Sequence, residues 1–186
     1  MDKDALGERG RALEEEYFRK RDRELVEKMR RAAEAVQART ELGAATGLDE
    51  ASVGELQALG FTADTLLLLP LAPLIQVAWA EGGITESERS LILKLARTRG
   101  VIEGSAADQK LAGWLERKPA DSVFEQATRL IRAMLDAAPD AMGVTADDLV
   151  SYCQSIAEAS GGFFGINRIG SDEKQILTSL AAALKK

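Results

Sequence analysis

The chain has 186 residues, 46% of them hydrophobic and 29% charged, which suits one ordinary domain with a sizeable core and room for an appendage. Its net charge of -6 argues against a general nucleic-acid binder. The absence of histidine and the single cysteine exclude Ser-His-Asp and Cys-His catalysis, the H-E-x-x-H zinc helix, CxxC-type zinc sites and an internal disulfide.

Aromatic residues are scarce, prolines number four, and no segment alternates cleanly as a strand would. The pattern predicts an all-α fold: a compact pseudo-twofold bundle of seven or eight helices behind a long charged amino-terminal helix. Residues 1–41 hold 11 acidic and 11 basic residues, whereas residues 42–186 hold 19 acidic and 13 basic, so the net charge belongs to the second part. Glu14, Glu15 and Glu16 precede Arg19, Lys20 and Arg21 at helix-supporting spacing, predicting a helix from about Asp4 to Arg39. Its apolar residues form thin stripes, Leu6, Leu13 and Tyr17 on one and Phe18, Leu25, Met29, Ala32 and Val36 on another. Such a helix needs a partner, which could be its own domain, a second copy in a homodimer, or another protein.

Gly43 to Asp49 reads as a linker, and residues 42–61 as linker plus a short helix opened by Asp49 or Glu50 and ending near Gly60. Thr62 is placed to cap a helix reaching Pro70, and a further piece runs from about Leu71 to Glu81. Thr85-Glu86-Ser87-Glu88 is a capping box, with Gly100 as the stop. Ser105, then Asp121 or Ser122, then Thr145 open three more helices, the last two ending near Ala137 and Ser160, and Ser171-Asp172-Glu173 opens the final one. Cys153 sits at helical apolar spacing and reads as a small buried hydrophobe, and Trp79 and Trp114, on helical apolar faces, read as core. Phe163 and Phe164, in a glycine-rich stretch, read as core plugs or an exposed contact. Asp136, Asp140, Asp147 and Asp148 read as caps and a solvated face. The start lacks a basic region followed by an apolar one, and the apolar run from Thr65 to Ala80 is short and broken by Pro70 and Pro73. Both features lead to the expectation of a cytoplasmic protein without membrane insertion.

A repeat stands out. Val77 to Ile92 reads as helix, Gly82-Gly83 turn, Ile84, capped helix; Ile156 to Gly162 followed by Ile169 to Leu177 reads the same way, with Phe163 to Arg168 as six extra residues. The shape is that of an EF-hand, but Gly82 and Gly83 stand where oxygen ligands are needed. Ala78-Trp79-Ala80-Glu81-Gly82-Gly83-Ile84, with Glu88 in the next helix and Glu173 as its counterpart, resembles the TerB family of tellurite-resistance and stress-associated proteins over about residues 62–184. The resemblance implies a helical pseudo-symmetric domain whose acidic cluster binds a divalent metal. Glu81 stands where that family has aspartate, and Ser160 where the second half would have an acid. Glu81, Glu88 and Glu173 are therefore the candidate ligands for Mg²⁺, Ca²⁺ or Mn²⁺. Glu88 and Glu173 also occupy positions where helix caps favour acids, so a purely capping role stays open.

Glu15-Glu16-Tyr17-Phe18-Arg19, then Arg23-Glu24, then Val26, Met29, Arg30 and Arg31, resembles the inhibitory segment of the mitochondrial ATPase inhibitor family over about residues 12–31. That resemblance implies a steric inhibitor of the F-type ATP synthase, with Tyr17, Phe18, Arg19, Arg23 and Glu24 as the partner-binding residues. The family's histidine-rich continuation is absent. No nucleophile is paired with a base, so the expectation is a non-enzymatic, stress-associated interaction and regulatory protein. It would have a protein partner and no nucleic acid, with a divalent cation as its one cofactor. The alternative is an ATP synthase inhibitor.

Overall fold

In the computed structural model of the protein, the backbone is described for residues 3–140, 142–160 and 169–184, and side chains for 16–140, 142–159 and 169–184. Among these residues there are eight α-helices, one 3₁₀ helix and no strand, as the sequence pattern predicts. The chain forms two compact units, Met1–Thr40 and Glu41–Lys186.

Helix α1 spans Lys3–Thr46, longer than the predicted Asp4 to Arg39. Gly43 does not break it, because the final turn is tied into the second unit's core. Leu42 is fully buried, and the buried Thr46 hydroxyl donates 2.8 Å back to the Leu42 carbonyl. The turn out of the helix comes instead at Gly47, whose φ of 66° suits glycine. The amino-terminal unit is held by its own turns, including the pairs Arg31–Glu27 and Arg30–Glu34. Tyr17, Phe18, Leu25, Val26, Met29 and Val36 are each more than half exposed there.

The second unit takes its boundaries from caps. Asp49 accepts from the Ser52 amide and opens α2 (Glu50–Ala58). Thr62 does not cap a helix reaching Pro70. Its amide donates to the Thr65 hydroxyl in a turn, and a 3₁₀ helix, Leu66–Leu71, follows. Pro70 lies inside that helix, and Pro73 in the first turn of α3 (Ala72–Ala78). Two prolines three apart leave few amide donors for an α ladder, so the run is tighter and shorter than the predicted helix. Then come α4 (Glu86–Thr98), α5 (Ala106–Glu116), α6 (Asp121–Ala137), α7 (Ala146–Ser160) and α8 (Ser171–Leu184).

Helix α3 is buried along its length and packs on α4, α6, α7, α8 and the 3₁₀ helix. Helix α6 shows how its partners meet it: Phe124, Ala127, Leu130, Ile131 and Met134 recur at helical spacing and are all buried. Cys153 is fully buried in this core, and burial pushes its thiol up to about 12, so it is a packing residue. Trp79 and Trp114 are half-buried against the core rather than inside it. Trp79 Nε1 donates 2.9 Å to the Trp114 carbonyl. Lys110 sits over the Phe61 and Trp114 rings at 4.6 and 5.4 Å, and donates to the Leu59 and Gly60 carbonyls that end α2. Phe163 and Phe164 lie outside the described residues.

Candidate functional site

The two halves of the sequence repeat build the same local device. In the first, the Thr85 side chain receives the Glu88 amide, while Glu88 Oε2 accepts from the Thr85 amide and hydroxyl, both at 2.7 Å. In the second, Gly170 replaces Thr85, and Glu173 Oε2 accepts from the Gly170 amide at 2.8 Å. The glutamate falls at the third helical position each time, and both are essentially inaccessible to solvent. Ile84 and Ile169, just before the two caps, are half-buried against the core.

Glu81 joins this pair. It is exposed, in the turn between α3 and α4, followed by Gly82 with φ of 88°. Its carboxylate occupies the space that a side chain on Gly170 would need. A Cβ built there would also lie 3.5 Å from Glu173 Oε2, so Glu81 and Glu173 meet over the Gly170 backbone. Glu88 feels both. Its pKa is raised above 4.5, chiefly by burial; the two Thr85 hydrogen bonds oppose this, and the like charges of Glu173 and Glu81 add to it. The three candidate glutamates thus share one acidic corner. Gly170 is the residue that sequence pattern did not single out; its signal was a glycine at a cap position where the first half carries threonine.

Glu88 and Glu173 each commit an oxygen to a helix cap, and no group of three or more Cys, Asp or Glu side chains among the described residues is arranged to hold a metal ion. What the arrangement does chemically is concentrate negative charge where an exposed turn meets two buried capping carboxylates. The Ser160 side chain lies outside the described residues.

The second candidate group lies on α1. Tyr17 and Phe18 are exposed, their rings edge-on at 5.9 Å. Arg21 donates 3.3 Å to the Tyr17 hydroxyl, and Arg23 Nε donates 3.3 Å to the Arg19 carbonyl. Arg19, Arg23 and Glu24 are exposed as well. Phe18, Leu25, Met29 and Val36 fall on one side of the helix by their spacing, a thin apolar row spread over five turns and interrupted by Asp22. Asp148 illustrates the other acids: it accepts from the Thr145 hydroxyl and amide as an exposed cap, and those bonds hold its carboxyl below the usual range.

No helix among the described residues is long and apolar enough to cross a membrane. Compared with models of protein families, with curated proteins and with solved structures, the chain matches none.

Proposed function

We propose that this is a non-enzymatic, stress-associated interaction and regulatory protein, its amino-terminal helix engaging a protein partner and its TerB-like body serving as the carrier. The observation that supports this is the row of large apolar side chains on α1, each more than half exposed. Exposed apolar rows with interleaved charges are how helices seat in protein grooves. The test is a pull-down with the full chain, wild type against Tyr17→Ala/Phe18→Ala. A complex retained by wild type and lost by the double variant supports the reading; equal retention of every partner removes it. The more specific alternative, inhibition of the F-type ATP synthase, draws on Tyr17, Phe18, Arg19, Arg23 and Glu24 all standing exposed on one uninterrupted helix. ATP hydrolysis unaffected by the full chain disposes of it.

The same reading gives the acidic corner a divalent cation. Its support is the convergence of Glu81 and Glu173 and the like charge they place on Glu88. A melting temperature that rises with Mg²⁺, Ca²⁺ or Mn²⁺ in wild type and not in Glu81→Gln is the expected result. No rise with any of the three in wild type ends this part of the proposal.

A further inference from the structure

A cavity of about 330 Å³ opens between the 3₁₀ helix, the carboxyl end of α4, α6 and the loop before α7. Leu66, Leu67, Pro70, Met134 and Met142 line it, with Ala45 near the end of α1, although about half of the lining surface is polar. Among the described residues that line it, Arg99 is the charged one. That volume lies within the range of small-molecule sites, and flexible methionine walls adapt to tails of irregular shape.

Arg99 is unusual in this protein for what it lacks. Its Nη2 donates 2.8 Å to the Met142 carbonyl, yet its Nε is buried without a hydrogen-bond partner. It forms no ion pair among the described residues; the ionisable side chain it senses is the phenol of Tyr152. Other lining arginines differ. Arg129 and Arg132 border a groove of about 410 Å³, but Arg129 is paired with Glu55, and Arg132 with Asp136 at 2.9 Å. The end of α4 favours a cation at Arg99 without supplying a counter-charge. Burial depresses its pKa, as expected of a guanidinium that nothing neutralises.

We infer that this cavity is a binding site for an aliphatic monocarboxylate, its carboxylate paired with Arg99 and its chain lying against Met134, Met142 and the 3₁₀ helix. A carboxylate is the counter-charge that this guanidinium lacks, and the apolar side chains of the lining give a tail contacts that a free inorganic anion cannot make. Ala63, which is exposed, stands at the rim.

Isothermal titration of the full chain with octanoate and with octanol tests the inference. Octanoate is expected to bind saturably, one molecule per chain, and octanol about tenfold or more weaker, the loss expected of a charge-assisted hydrogen bond. Arg99→Met should bring octanoate to the octanol level. Ala63→Trp, which fills the rim and leaves Arg99 in place, should abolish binding of both, and it decides the question if Arg99→Met does not fold. Failure of wild type to bind octanoate, equal affinity for octanoate and octanol, or octanoate binding unchanged in either folded variant overturns the assignment.

Discussion

Glu88 does two jobs that pull in opposite directions. As a cap it wants a charge, because it accepts two hydrogen bonds from Thr85. As a buried group beside Glu81 and Glu173 it resists one. The second effect wins, so the folded state holds the proton more tightly than the unfolded chain does. The stability this contributes is fully present below pH 4.5 and is lost as pH rises through the raised folded value. Glu88→Gln keeps an acceptor for Thr85 and cannot ionise. The melting temperature of the variant relative to wild type should therefore climb between pH 4 and pH 7. A pH-independent difference would show that Glu88 titrates as an ordinary surface carboxylate. Gly170→Ala probes the same corner from the other side. The new methyl displaces the Glu81 carboxylate, the far end of an exposed side chain, so urea denaturation should show a cost of about 1 kcal/mol or less. With Glu81 pushed away, the pH-dependent gap between wild type and Glu88→Gln should narrow.

At the scale of elements, the two caps Thr85 and Ser105 allow a direct comparison. Ser105 accepts from the Asp108 amide and does little else, so Ser105→Ala should cost about 1 kcal/mol. Thr85 does the same for Glu88 and also donates its hydroxyl to that buried carboxyl. Thr85→Ala should cost about 2 kcal/mol, since it leaves a buried acceptor short of a donor. Paired urea unfolding curves measure the difference, and equal costs would mean that water replaces the hydroxyl. These caps are why the helix starts at Glu50, Glu86 and Ala106 were legible: a local side chain decides them. The ends that local pattern misplaced are decided by tertiary contact. The carboxyl end of α1 continues past Gly43 because Leu42 and Thr46 are buried, and no spacing rule in a charged helix announces that. The convergence of Glu81, Glu88 and Glu173 was legible because a repeat places equivalent residues at equivalent turns. Arg99 was not, because an arginine at a helix end is ordinary in sequence, and only the fold shows that no acid among the described residues pairs with it.

Over the whole molecule, apolar residues serve two purposes, and two phenylalanines separate them. Phe124 is 1% exposed and sits on the face of α6 turned to the core, which α3 and α8 also build. Removing its ring leaves a cavity in close-packed surroundings, and Phe124→Ala should cost about 3–5 kcal/mol. Phe18 is 60% exposed, its near ring neighbour being Tyr17. Its burial contributes little to folding, and Phe18→Ala should change stability by no more than about 0.5 kcal/mol. If the row on α1 exists to be covered by a partner, the order reverses when binding is measured: Phe18→Ala weakens the complex while Phe124→Ala, where it stays folded, does not. Urea denaturation combined with partner retention on the same two variants resolves this. A Phe18→Ala loss of several kcal/mol in isolated protein would instead make that row part of the chain's own core, and the amino-terminal helix a structural element rather than a binding one.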